Sequence, residues 1–333
     1  MSALTPTPTA FTPTPTQTRP AIGFESPTST LAFTSSPTKP PPSTTPTFAA
    51  PSPTSSATLT SLPTKTSTLT PTGTPTPRVT PTSPPLPSAM VLVPAGNFIQ
   101  GSLDSEIDAA IQMCSNAYGG QCPHPREWFT DETPRRTVYL DAFYIDRWEV
   151  TNKQFAAFTS ATAYQTDAEK KGEAQTWRTF NTTGRENYPA VWMSWNDADA
   201  YCTWAGKRLP SEAEWEKAAR GDDARIWPWG SNWESGRANT GGSAVAVGSY
   251  STGASPYGVM DMAGNVWEWV ADWHDPNWYS NSPLRNPGGP LLGVSRVLRG
   301  GGFNNPPWEM RAAHRHSGGQ DGYAPDHGFR CAR

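Results

Sequence analysis

The sequence predicts an α+β fold in which short helices pack on twisted antiparallel strands and much of the chain is ordered loop. Three observations predict it. Stretches such as TVYLDAFYIDRWEVT (137–151) alternate apolar and polar residues with the period of a strand. Three helix starts carry capping boxes, and each helix that follows is short. From Ile226 onward Gly, Pro, Asn and Trp punctuate short strands, and WPWG, RANTGG, GSYSTGASPYG and NPGGP have the chemistry of loops.

Taken in order, the chain starts with a different kind of sequence. Of the 36 prolines, 21 lie before residue 89, whereas all 15 tryptophans lie after residue 127. Residues 1–88 are a Thr/Pro/Ser tract with only four aromatics, Phe11, Phe24, Phe33 and Phe48. Such a segment cannot bury enough surface to offset the entropy of ordering, so it reads as a disordered, extended linker or stalk. The folded domain is expected over 89–333, long enough for one well-built core. MVLVPAGNFIQG (90–101) reads as strand, turn and strand; 103–113 as a short helix; 137–151 as a buried strand pair. Thr151 with Gln154 opens a helix that turns Phe155 and Phe158 inward. Ser194 with Asp197 opens 195–205, which ends at Gly206, and Ser211 with Glu214 opens 212–220, closed by Gly221.

The stretch YGVMDMAGNVWEW (257–269) mixes residue types that a plain core segment does not combine. Trp267 and Trp269 stand two apart, on one face of a strand, so Glu268 points the other way. Upstream, Asp261, Gly264 and Asn265 make a tight turn whose carbonyls can converge. A carbonyl-rich turn closed by Asp261 and Glu268 offers only oxygen donors, the ligand set of calcium. The competing reading is an Asp that caps a turn and a Glu in a salt bridge.

Four cysteines, Cys114, Cys122, Cys202 and Cys331, permit three pairings, and no CxxC suggests zinc or a thioredoxin-like couple. Disulfides are their simplest use. The formal net charge of −3 gives no reason to expect nucleic acid or an anionic membrane as a partner. No apolar run is long enough to span a bilayer, and MSALTPTPTA has no export signal. The stalk-like composition nevertheless points to an extracytoplasmic protein, secreted or at the cell surface. The two observations are reconciled if the given start is internal and an upstream signal or anchor is missing.

Four blocks, in order, resemble one family. They are MVLVPAGNFIQGS with LDAFYIDRWEVTNKQF, YPAVWMSWNDADAYCTWAGKRLPSEAEWEKAARG (188–221), YGVMDMAGNVWEWVADW (257–273), and RVLRGGGFNNPPWEMRAAHR (296–315) with the closing GFRCAR. The family is that of formylglycine-generating enzymes, or sulfatase-modifying factor domains. The resemblance implies a C-type-lectin-like fold elaborated with extra helices and loops. It also implies a disulfide between Cys202 and Cys331, which leaves Cys114 for Cys122. Asp261, the carbonyls of Gly264 and Val266, and Glu268 are similar to the family's second calcium site, with Asn265 part of the turn. The other family calcium site is matched by Asn239 and Thr240, but the acidic residue it needs is missing from ANTGGSAVAVGSY, so no calcium is expected there.

Members of the family that make formylglycine oxidise a substrate cysteine with two active-site thiolates that bind copper(I), a soft ion that Asn or Pro does not hold. Here the corresponding loop, Gly302 to Met310, has no cysteine; Asn305 stands near the position of the first. Copper is therefore not expected. Relatives that form sulfoxides use iron held largely by another domain, and His314 and His316, with His274 and His327 distant in sequence, read as surface or rim histidines. Related lectin-type proteins present ligands on these C-terminal loops, here Asn304, Asn305, Trp308, His314 and His316. The favoured reading is a non-catalytic binding or sensor module on a stalk, stabilised by calcium and disulfides, with a peptide, glycan or protein ligand, once part of a larger membrane protein such as a kinase. The alternative is a formylglycine-generating oxidoreductase with an unrecognised site.

Overall fold

The computed structural model describes residues 90–333, so the expected stalk lies outside the described residues. The first elements are β1 (Met90–Val93), β2 (Gly96–Gln100), α1 (Asp104–Ala117), α2 (Glu127–Thr130), β3 (Arg136–Leu140) and β4 (Phe143–Asp146). The Pro94–Ala95 turn separates β1 from β2 as the sequence suggests, yet these strands do not pair with each other. Instead β1 runs antiparallel to β4 and β2 to β3, forming two two-stranded ladders. The alternation of 137–151 thus supplies a separate partner for each of the first two strands. Phe98, Val138, Leu140, Phe143 and Ile145 turn into one core from these ladders.

The helices follow: α3 (Asn152–Thr162), α4 (Asp167–Lys170), α5 (Trp177–Phe180), α6 (Trp195–Trp204) and α7 (Glu212–Arg220). Thr151, Ser194 and Ser211 each accept a first-turn amide while Gln154, Asp197 and Glu214 reach back, as expected of capping boxes. Phe155 and Phe158 of α3 and Tyr201 of α6 pack with Trp177, Trp269 and Phe329 in a second core. Helix α7 is the exception among the helices, because Glu212, Glu216, Lys217 and Arg220 are buried along with its alanines. Buried charges are tolerable only when paired, and here Arg299 lies 2.9 Å from Glu216 while Arg315 lies 2.7 Å from Glu212.

The remaining elements are β5 (Trp267–Trp273), α8 (Trp278–Asn281), β6 (Ser295–Arg299), β7 (His316–Gly319) and β8 (His327–Phe329). They form a four-stranded sheet in the order β7-β6-β5-β8. The expectation of antiparallel strands fails at one ladder, since β5 and β8 are parallel. The chain returns to β5 from the far side, where the Trp267 amide donates to the Asp326 carbonyl and Arg330 reaches Glu268. Two disulfides, Cys114–Cys122 and Cys202–Cys331, account for all four cysteines, and the second ties α6 to the closing segment.

Candidate functional site

The turn before β5 is built as its sequence suggests. Asp261, Gly264 and Asn265 all have positive φ, at 58°, 76° and 65°. A Cβ at position 264 would lie 2.5 Å from the Asn239 carbonyl, so only glycine permits this approach. Asn265 fixes the turn with its side-chain amide: Oδ1 accepts from Asn239 Nδ2 and from the Val245 amide, and Nδ2 donates to Glu149 at 2.9 Å. Asn239 is itself occupied, since its Oδ1 accepts the Gly241 amide and its Nδ2 also donates to the Ser243 carbonyl.

Three carboxyl groups and one guanidinium meet under this turn. Glu268 is fully buried and both its oxygens are taken: Arg330 binds them through Nε and Nη2 at 2.6 Å each, and Trp215 Nε1 donates at 2.8 Å. The expected calcium role for Glu268 therefore meets a salt bridge, the competing reading of that residue. Glu149 was not singled out by the sequence, because the strand alternation breaks at Arg147 just before it. It lies buried beside Asp261, and its Oε2 has no hydrogen-bond partner. Asp261 accepts the Gly248 amide at 2.6 Å through Oδ2. Burial holds the Glu149 carboxyl well above the usual range, with the nearby Asp261 charge adding to the effect, and burial also raises Asp261. One arginine faces three carboxyl groups, and burial favours the protonated forms of Glu149 and Asp261. Among the described residues no three His, Cys, Asp or Glu side chains are grouped so as to hold a metal.

The loop after β6 lies nearby. Gly300, Gly301 and Gly302 allow close approach, with a Cβ at 302 only 2.7 Å from Asp326. Asn305 accepts the Gly302 amide and donates to Glu309, so its side chain serves to fold the loop. Of the five residues expected on a ligand face, Asn304 is exposed and Asn305 and His316 are half-buried. Trp308 and His314 require correction, since both are interior. His314 is no rim histidine: neither ring nitrogen has a hydrogen-bond partner, and Nδ1 is 3.5 Å from Glu132. The rings of His314 and His316 lie between Trp128 and Trp267, with centroids 4.9 to 6.3 Å apart. Folding also brings His274 and His327 close enough to act on His316. Burial, with His314 and His274, pushes His316 down to about 4; burial and His316 push His327 down to about 3. Beside Phe303 opens a cavity of about 190 Å³ whose walls include Phe180, Arg185, Tyr188, Val191 and Ala244.

The family model of the sulfatase-modifying factor enzyme 1-like domain matches residues 76–333. The chain belongs to this family. Among its relatives, the formylglycine-generating enzyme of Streptomyces coelicolor is 39% identical over 256 residues, covering 60% of this chain and 81% of the relative. The mouse protein named inactive C-alpha-formylglycine-generating enzyme 2 is 30% identical, with 73% of this chain and 85% of that protein covered. Among solved structures, PvdO from Pseudomonas aeruginosa aligns with a TM-score of 0.56 at 28% identity, covering 73% of this chain and 93% of that one. The α+β, C-type-lectin-like architecture expected of a family member is the one observed.

Proposed function

We propose that this sulfatase-modifying-factor domain is a non-catalytic, extracytoplasmic binding or sensor module, stabilised by calcium and by its disulfides. The observation that carries the reading is the state of its sulfur. All four cysteines are in disulfides, and Gly302–Met310 contains none, so no thiolate is available where copper(I) chemistry needs two. The resemblance to the mouse protein named inactive supports the same reading. Two disulfides fit an oxidising compartment, in keeping with secretion or cell-surface display. Among the described residues no helix is long and apolar enough to cross a membrane.

The ligand would be a peptide, glycan or protein met by Asn304 and His316 together with the cavity beside Phe303, whose aromatic walls and Arg185 suit an apolar group next to an acceptor. Calcium would be held by Asp261 and Glu149 with the carbonyls of Gly264 and Val266, and would supply the positive charge this buried pair lacks. Identity to a Streptomyces formylglycine-generating enzyme favours the second reading, an oxidoreductase. Purified protein incubated with copper(I), oxygen and a cysteine-containing sulfatase peptide decides between them. No aldehyde product and no tight copper(I) binding is the expected result; turnover would overturn the binding-module reading.

A further inference from the structure

The cavity beside Phe303 has a size and a set of unmet polar groups that together describe its occupant. It measures about 190 Å³. An apolar cavity of about 150 Å³ already holds benzene, so there is room here for one side chain of phenyl or isobutyl size. Phe180, Val191, Ala244 and Phe303 supply apolar wall. Contacts within the chain hold these walls in place. Phe180 stacks on Trp192, and the Gly242 amide donates to the Phe303 carbonyl, which ties down the segment that carries Ala244. A pocket fixed in this way costs little ordering when a ligand enters.

Two polar groups in the same wall are left over. Asn152 lines the cavity and is only 1% exposed. Its Nδ2 donates to the carbonyls of Phe180 and Arg185, two other wall residues, while its Oδ1 accepts nothing. A buried acceptor without a donor is costly, so an N–H from the occupant would be stabilising. Arg185 is exposed and also lines the cavity, its guanidinium 5.0 Å above the Tyr188 ring. No carboxylate of the described residues forms an ion pair with it, and the adjacent Glu186 turns back to accept the Gly184 amide. An arginine without an acidic partner suits a carboxylate, which it can bind through two N–H groups. An apolar pocket for one side chain, an acceptor for an N–H and a cation for a carboxylate match three substituents of a single α-carbon, that of an acylated C-terminal residue. A neutral glycan offers neither the side chain nor the carboxylate.

We infer that this cavity binds an N-acylated apolar amino acid with a free carboxylate, as at the C-terminus of a polypeptide. The side chain enters the cavity, the amide N–H meets Asn152 Oδ1 and the carboxylate meets Arg185. The inference rests on the binding-module reading and names its ligand. Calorimetric titration of the full chain with N-acetyl-L-phenylalanine, its carboxamide and N-acetylglycine tests it. The phenylalanine acid should bind with a Kd of about 1 mM or below. Its carboxamide should bind at least about tenfold more weakly, for want of the charge that Arg185 pairs with. N-acetylglycine, which has no side chain, should not bind. Arg185→Gln should erase the difference between acid and carboxamide and leave the melting temperature unchanged, because the position is exposed. Peptides that end in phenylalanine, with a free or an amidated terminus, distinguish the sources: tighter binding of the free-ended peptide assigns the site to polypeptide C-termini, and weaker binding than the acetylated acid assigns it to the free compound. No binding of the acid at about tenfold the expected Kd, equal binding of acid and carboxamide, or an affinity untouched by Arg185→Gln overturns the inference. The aldehyde assay on the same preparation keeps the two readings apart. An inert protein that ignores the acid loses this ligand class alone, whereas turnover overturns the binding-module reading whatever the acid does.

Discussion

Glu149 and Glu268 show how two buried carboxyl groups near one arginine come to differ. Arg330 is fully committed to Glu268 and to three carbonyls, those of Asp146, Arg147 and Met260. Removing Glu268 takes from the buried Arg330 its bidentate partner and leaves the Trp215 indole N–H unpaired, so Glu268→Ala should destabilise by about 3–5 kcal/mol in chemical denaturation, with or without calcium. Glu149 has the opposite balance, a buried carboxyl whose Oε1 accepts from Asn265 while its Oε2 is unpaired. Glu149→Gln should therefore leave the calcium-free protein as stable or more so, and should abolish any rise in melting temperature on adding calcium, as should Asp261→Asn. The pH dependence follows from the sign of the shifts. Both carboxyls are raised in the fold, so their contribution to calcium-free stability is fullest below the unfolded values near 4 and is lost as pH rises through the raised ones. Calcium needs both ionised, so its increment in melting temperature should be larger at about pH 7.5 than at about pH 5. An increment independent of pH, or none at all in wild type, would count against the site.

Among the elements, those that announce themselves by local chemistry were legible in the sequence, and those that depend on distant partners were not. The capping boxes at Thr151, Ser194 and Ser211 read correctly because a cap is satisfied within four residues. Ser211 is the instructive one, since the helix it starts carries Glu212 and Glu216 into the core against Arg299 and Arg315. Ser211→Ala should cost about 1 kcal/mol for the cap alone. A loss well beyond about 2 kcal/mol would mean that the cap also sets the register of the buried ion pairs. The turn at Asp261–Asn265 was likewise readable from residues that tolerate positive φ. Strand pairing was not: nothing within MVLVPAGNFIQG tells that β1 and β2 take separate partners, β4 and β3, or that β8 lies parallel to β5. His314 departs from expectation for the same reason, because its burial is decided by Trp128 and Trp267 and not by its own neighbours in the chain.

At the scale of the molecule, the two disulfides should contribute unequally, and the inequality follows from the loops they close. Cys114–Cys122 spans 8 residues and Cys202–Cys331 spans 129. On the chain-entropy estimate the first restrains the unfolded state by about 2–3 kcal/mol and the second by about 5 kcal/mol. The longer bond also anchors the segment that carries Arg330, and through it the charge balance under the turn at Asp261. Cys114→Ala with Cys122→Ala should thus lower stability modestly and leave the calcium response intact. Cys202→Ala with Cys331→Ala should lower it by roughly twice as much and weaken the calcium response too, because Arg330 and Glu268 would no longer be held in register. Calcium-dependent melting of the two double variants measures both effects at once. Equal losses would show that strand pairing and the Glu268–Arg330 bridge, and not the covalent tie, fix the closing segment against β5.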